Sequence, residues 1–265
     1  CGVDLWSNTE MILRTVDGGL DWDTVHAGPF GTELNDLHFV SASIGMAVGG
    51  DGRIFRSLNG GYTWSAQVSG TAADLFGVYF VDALVGIAVG DHVILRTTDG
   101  GSNWSVQSAP VALRGIAAFD ASAWMASGDA GTVLLSEDGG AIWVDRLIPF
   151  NDPDLYRLSV LDANTVHVGA DALIYVTHDR GLLWEKFDMD QSGYIVLDIQ
   201  ADASLNGTGY AAGLFGRVYK TTAASDAGHP LIAAVPDTLG ACVGESIFFD
   251  NLSSTTYSTV WKLDG

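Results

Sequence analysis

Five copies of one eight-residue signature, spaced about forty residues apart, constrain this chain more than any other feature. They occupy residues 15–22, 57–64, 97–104, 136–143 and 177–184, and their closing tryptophans lie 42, 40, 39 and 41 residues apart. A fixed period of that length means one supersecondary unit repeated as an array. A residue present in every copy is therefore expected to build the unit rather than to act on a ligand.

Aligned on the signature, the units share a four-part pattern. An alternating or apolar stretch comes first, as in Leu34–Val40, Leu75–Val81, Leu113–Phe119 and Leu155–Leu161. A small-residue stretch around a glycine follows (Ile44–Gly49, Val85–Gly90 and, more loosely, Gly209–Gly213), and its small side chains suggest a place close to a crowded axis. A third stretch leads into the signature (Arg53–Arg56, Val93–Arg96, Val133–Leu135, Ile174–Val176, Arg217–Lys220), and the closing Trp opens a fourth. Short apolar runs, turn signals every 8–12 residues and no helical period read as all-β. Four antiparallel strands per forty residues match the blade of a β-propeller, with six blades in view and a seventh allowed for in the intact protein.

Each position of the signature has a mechanical reading. Asp17, Asn59, Asp99, Asp138 and Asp179 can accept hydrogen bonds from the amides of the turn they start. Gly19, Gly61, Gly101, Gly140 and Gly181, with the residue before each, supply the positive φ of a tight hairpin. Trp22, Trp64, Trp104, Trp143 and Trp184 are expected to bury apolar area against a neighbouring unit. The second copy has Asn59 for Asp and the fifth has Arg180 for the first Gly.

The pattern Ser/Thr-x-Asp-Gly-Gly-x-x-Trp resembles the Asp-box, or bacterial neuraminidase repeat. Propellers with such boxes include sialidases, xyloglucan-acting glycosidases, sortilin-like receptors and the photosystem II stability/assembly factor family. The glycine-rich repeats, such as residues 45–64 and 86–104, look most similar to the last group. After residue 228 the pattern changes. Pro230–Ser254 and Val260–Gly265 resemble the first half of a PKD-type immunoglobulin-like domain, through Cys242-Val-Gly-Glu and Trp261-Lys-Leu-Asp264-Gly265. The expected organisation is thus a propeller over 1–228, starting mid-blade, and the N-terminal part of a PKD-like domain over 229–265. The PKD resemblance implies a modular, secreted bacterial protein in which Cys242 pairs beyond the present chain. Cys1 occupies a repeat position; a lipidated leading cysteine is the alternative.

Charge narrows the partners. The chain carries 32 acidic against 12 basic residues, a formal charge of −20, which repels nucleic acid and anionic lipid. No apolar run reaches the length of a membrane span, and the N-terminal text has no basic-then-apolar leader. Cys1 and Cys242 offer no metal-ligand spacing, the six histidines are scattered, and no Asp-x-Asp-x-Asp-Gly loop is present, so neither metal nor cofactor is expected.

Two function classes remain. A sialidase would need three arginines converging on a carboxylate, but Arg14, Arg56 and Arg96 precede successive boxes at equivalent positions and are expected to point outward, while Arg53-Ile54-Phe55 lacks the proline of the Arg-Ile-Pro segment. A two-carboxylate glycosidase has candidates in Asp36, Asp74, Asp154 and Asp198 at the unit starts. Near-uniform units of 39–42 residues without insertions favour the other class: a non-enzymatic module that binds protein or polysaccharide, outside the cell or at its surface. The assembly-factor resemblance adds a third possibility, a chaperone that grips a membrane-protein intermediate.

Overall fold

Alternation and closely spaced turns produce consecutive β-meanders in which each strand bonds to the one before it. The computed structural model describes residues 2–4, 9–30, 32–146, 148–149, 154–171, 173–188, 196–202, 208–213, 218–222, 231–234, 246–249 and 259–262. Cys1 and Cys242 lie outside these residues. The chain divides into two compact units, Cys1–Asp152 and Pro153–Gly265.

The first unit holds sheets 1 to 4. Sheet 1 has three strands, Gly2–Asp4, Thr9–Arg14 and Asp23–Phe30, with the first box between its last two. Sheet 2 comprises Leu34–Phe39, Gly45–Gly49, Ile54–Ser57 and Ser65–Gln67. Sheet 3 comprises Leu75–Phe80, Gly86–Gly90, Val93–Thr97 and Ser105–Ser108. Sheet 4 comprises Leu113–Ala118, Trp124–Gly128, Val133–Ser136 and Val144–Asp145. The second unit repeats the meander in sheet 5 (Leu155–Val160, Val166–Ala170, Leu173–Thr177, Glu185–Asp188) and sheet 6 (Val196–Asp202, Thr208–Gly213, Val218–Thr222, Leu231–Ala234). Sheet 6 thus takes its fourth strand from the 229–265 stretch. Ser246–Phe249 and Thr259–Lys262 form a further antiparallel pair. The fold is all-β, built from propeller blades.

In the first unit the sheets fan out from their first strands, which pack against one another across sheets 2, 3 and 4. The small-residue second strand, expected close to a crowded axis, is therefore not the strand nearest to it. The second strand sits one place further out and is fully buried in sheets 2 to 5. Its small residues answer a different demand. A Cβ at Gly45 or Gly86 would strike the ring of Phe39 or Phe80, and one at Gly49, Gly90 or Gly128 would overlap the carbonyl of Glu33, Asp74 or Ala112. The first strand lies directly over these positions, so only glycine fits.

Apolar clusters fill the spaces between sheets. Ile12, Leu34 and Ala47 join sheets 1 and 2 with Trp64 packed on them. Met46, Ile54, Leu75 and Phe80 join sheets 2 and 3 with Trp104. Ile87, Val89, Leu113 and Trp124 join sheets 3 and 4 with Trp143. Trp22, in sheet 1, remains 57% exposed. Each fully buried aliphatic side chain contributes about 1.5–3 kcal/mol, so these seams hold the array together.

Candidate functional site

The boxes account for most of the residues that first attract attention. In all five, the Ser or Thr hydroxyl donates to the Asp or Asn side chain at 2.7–3.0 Å and accepts the amide of the second Gly at 2.8–2.9 Å. The acid or amide then accepts further amides of the turn, such as those of Ala141 and Ile142 at Asp138. Hydrogen bonds hold four of these carboxyls below the usual carboxylate range. The leading donors are the Thr15 hydroxyl at Asp17, the Asn103 side chain at Asp99, and the Ile142 and Leu183 amides at Asp138 and Asp179. Gly18, Gly19, Gly60, Gly61, Gly100, Gly101, Gly139, Gly140 and Gly181 all have positive φ, and Arg180 adopts the same region at φ 58°. Such acids are engaged in turn geometry.

The arginines before the boxes form an inter-sheet chain. Arg14 Nε donates to the carbonyl of Gly60 in the next box at 2.9 Å, with its guanidinium 3.6 Å from the centre of the Tyr62 ring. Arg96 Nε donates to Gly139 O at 2.6 Å. A Cβ built on Gly100 would lie 2.9 Å from Arg56 Nη2, so that guanidinium rests against the third box. Arg14 and Arg96 each bond the box one unit on and Arg56 lies against it, so the three do not converge. The equivalent residue before the fourth box is Leu135. The fifth box carries its own arginine, Arg180, whose Nε donates to Ala163 O at 2.7 Å. Arg53 is spent on Glu10, Nη1 to Oε1 at 3.1 Å, an oxygen that also lies 3.1 Å from His26 Nε2.

Two of the four carboxylates at the unit starts bond backbone amides of an adjacent sheet. Asp36 Oδ2 accepts the amide of Val78 at 2.8 Å and so ties the first strand of sheet 2 to that of sheet 3, beside the Asn35 Nδ2 bond to Leu75 O at 2.9 Å. Asp74 Oδ1 accepts the amide of Asp51 at 2.9 Å, linking sheet 3 back to sheet 2. Asp154 is exposed just before the first strand of sheet 5, and Asp198 lies on the first strand of sheet 6, its side chain outside the described residues. Among the described residues no group of three His, Cys, Asp or Glu could hold a metal ion.

One concave site lies where the first strands of sheets 2, 3 and 4 end. It is a cavity of about 450 Å³ lined by His38, Tyr79, Asp82, Ala118, Phe119 and Asp120, among others. The His38 and Tyr79 rings pack at a 54° tilt, 4.4 Å between centroids, and Tyr79 meets Trp124 edge-on at 6.2 Å, which fixes the tyrosine ring. Burial lowers the pKa of His38, against a smaller raising effect from Asp36, so the imidazole is neutral at physiological pH. Asp82 and Asp120 stand exposed on the rim, where each Oδ1 accepts two turn amides at 2.7–2.9 Å. A larger cavity, of about 560 Å³, lies within sheet 2 alone between Asp51–Phe55 and Ala66–Ala72. Its single basic residue is Arg53, already bound to Glu10.

Sequence reasoning noted His38 only as one scattered histidine and missed the rest of the cavity. The signal was present as a difference between sheet 4 and sheets 2 and 3. Phe39 pairs with Gly45 and Phe80 with Gly86, whereas in sheet 4 the corresponding pair is Ala118 with Trp124. The large residue has moved from the first strand to the second, and the space it leaves opens at the cavity.

No protein-family model matches the chain. Among curated proteins it is similar to the photosystem II assembly lipoprotein Ycf48 of Synechococcus sp. (strain CC9902), at 28% identity over 167 residues, or 60% of this chain. The match covers 49% of that protein's length. Among solved structures, YCF48 from Cyanidioschyzon merolae aligns over 95% of this chain and 93% of its own, with a TM-score of 0.64 at 16% identity. YCF48 bound to D1 peptide aligns over 82% and 78%, with a TM-score of 0.57 at 16% identity. A GH74 xyloglucanase from Xanthomonas campestris shares the fold over 85% of this chain but 39% of its own, with a TM-score of 0.55 at 13% identity.

Proposed function

We propose that this chain is a non-enzymatic propeller that binds a polypeptide partner at the mouth formed by the first strands of sheets 2, 3 and 4. The observation that carries the reading is the cavity beside His38, Tyr79 and Phe119, where sheet 4 has Ala118 and Trp124 in place of the Phe–Gly pairs of sheets 2 and 3. Similarity to a photosystem II assembly lipoprotein supports a protein partner, as does the shared fold with a YCF48 that holds a peptide.

Against glycoside hydrolysis stands the use of Asp36 and Asp74, whose carboxylates bond backbone amides of adjacent sheets. An acid–base pair needs its carboxyls turned toward one substrate, on opposite sides of the scissile bond. We assign the boxes to the Asp-box type on their sequence pattern and the residues after Ala234, the end of sheet 6, to a PKD-like segment. On that assignment the propeller serves a modular protein outside the cell or at its surface.

The test pairs two assays on the intact chain. An array of overlapping peptides and a glycan array report what is bound, and incubation with xyloglucan and sialosides reports hydrolysis. The proposal expects saturable binding to a subset of peptides and no sugar release above background. Hydrolysis abolished by Asp36→Asn or Asp74→Asn would overturn it.

A further inference from the structure

The chemistry of the mouth indicates which polypeptide it takes. In the first-strand register, Ala117 stands where sheets 2 and 3 have His38 and Tyr79, and Ala118 where they have Phe39 and Phe80. Phe119 follows where the sequence of the other units has Val40 and Val81. Two aromatic faces, Tyr79 and Phe119, therefore border a space that larger side chains occupy in sheets 2 and 3. None of the residues lining the cavity is Lys or Arg, and His38 is neutral. The charges on its rim are the carboxylates of Asp82 and Asp120, which come from equivalent turns of adjacent sheets. Aromatic faces beside carboxylates in a partly desolvated site favour an organic cation with an apolar stem. The net charge of −20 favours the same class of ligand at long range.

We propose that this cavity receives the arginine or lysine side chain of a basic polypeptide segment. The cation lies between the Asp82 and Asp120 carboxylates, and its methylene stem lies against Tyr79 and Phe119. This assignment rests on the polypeptide-binding reading above and adds the chemistry of the partner to it.

The turn geometry supplies a clean test. Asp82 and Asp120 hold their turns through Oδ1, and the Oδ1 of asparagine can accept the same amides, so Asp82→Asn with Asp120→Asn removes two charges while keeping both turns. Asp51→Asn with Asp91→Asn removes the same charge from the turns after the second strands, at the opposite strand ends. The probes are three labelled Gly/Ser dodecapeptides carrying three Arg, three Gln or three Glu at the same positions. Their binding is read by fluorescence anisotropy in low and moderate salt.

The Arg peptide is expected to bind at least about tenfold more tightly than the Gln peptide, with the Glu peptide weakest. The Asp82/Asp120 double variant should weaken the Arg peptide by about tenfold and flatten its salt dependence, since two screened but converging charge contacts are removed. Tyr79→Leu should weaken it about threefold through the lost ring face. The control pair should stay within about twofold of the parent. Equal losses in the two double variants, or an Arg peptide bound no better than the Gln peptide, would overturn the assignment. If array peptides bind the mouth regardless of charge, this inference fails and the polypeptide-binding reading stands. If no peptide of any composition binds, both fail.

Discussion

Replacing Thr97 with Val tests whether the boxes are held by their hydroxyls or merely shaped by their glycines. Thr97 is 2% exposed, and its hydroxyl donates to Asp99 Oδ1 at 2.9 Å and accepts the buried Gly101 amide at 2.9 Å. Valine has the same shape without the oxygen. The Gly101 N–H then stays buried without a partner, which costs about 1–3 kcal/mol. Water replaces the lost hydroxyl at the exposed Asp99, so the buried amide sets the total at about 2 kcal/mol. Thr15→Val is the internal control. Its hydroxyl makes the same bonds at 2.7 and 2.9 Å, but in a box whose Thr and second Gly are only half-buried. Water replaces the lost partner there, and the cost should stay below about 1 kcal/mol. For a domain of this size about 2 kcal/mol lowers Tm by roughly 4–8 °C, readable by thermal unfolding followed through tryptophan fluorescence. Equal shifts for the two variants, or a Thr97→Val shift near zero, would refute the reasoning.

Other perturbations separate the remaining devices. Gly90→Ala, whose Cβ would overlap the Asp74 carbonyl, should cost more than about 3 kcal/mol, whereas Gly18→Ala, with open space and only a φ of +79°, should cost about 1 kcal/mol; denaturant titration distinguishes them. Arg96→Met keeps the stem but loses the bond to Gly139 O, and should cost about 1–2 kcal/mol in the same assay, with Arg96→Lys failing to restore it because the Nε–H is absent. The box carboxyls have folded pKa values below 3.8, so the stability they add is present above that value and is lost as pH falls through the lower, folded values. An acid titration of Tm should therefore steepen below about pH 4 and flatten when Asp99 and Asp138 are replaced by Asn. His167, buried and lowered to about 4 chiefly by burial, takes its proton first in the unfolded chain, so stability should decline as pH falls from 6.5 towards 4. His167→Gln should reduce that slope, leaving the part due to His38, whose pKa burial also lowers.

The boxes were legible because everything that builds them lies within eight consecutive residues. A hydroxyl, an acid two positions on and two residues of positive φ leave few other ways to satisfy the turn amides. The roles of Arg14 and Arg96 were not legible, because each reaches a carbonyl 46 or 43 residues away in the next unit, and their even spacing reads as outward repetition. Asp36 and Asp74 looked like loop acids because spacing cannot show that an amide of the adjacent sheet lies within reach. The small residues of the second strand suit a place close to an axis. They suit equally well a strand overlain by its neighbour's carbonyls and phenylalanine rings, as Gly45, Gly49, Gly86 and Gly90 are. The mouth was the hardest feature to see. It needs three strand ends from different units, and its clue was the exchange of Phe and Gly for Ala118 and Trp124, visible only once the strands are in register.

Hydrogen exchange of the intact chain, with and without a saturating peptide selected from the array, tests the central claim most directly. The account predicts added protection of backbone amides in three short stretches, residues 38–40, 79–82 and 118–121, where the first strands of sheets 2, 3 and 4 end. The box turns, whose amides already bond to their own Asp and Ser or Thr side chains, should be unchanged. Protection confined to the boxes, to the outer strands or to residues beyond 228 would contradict it.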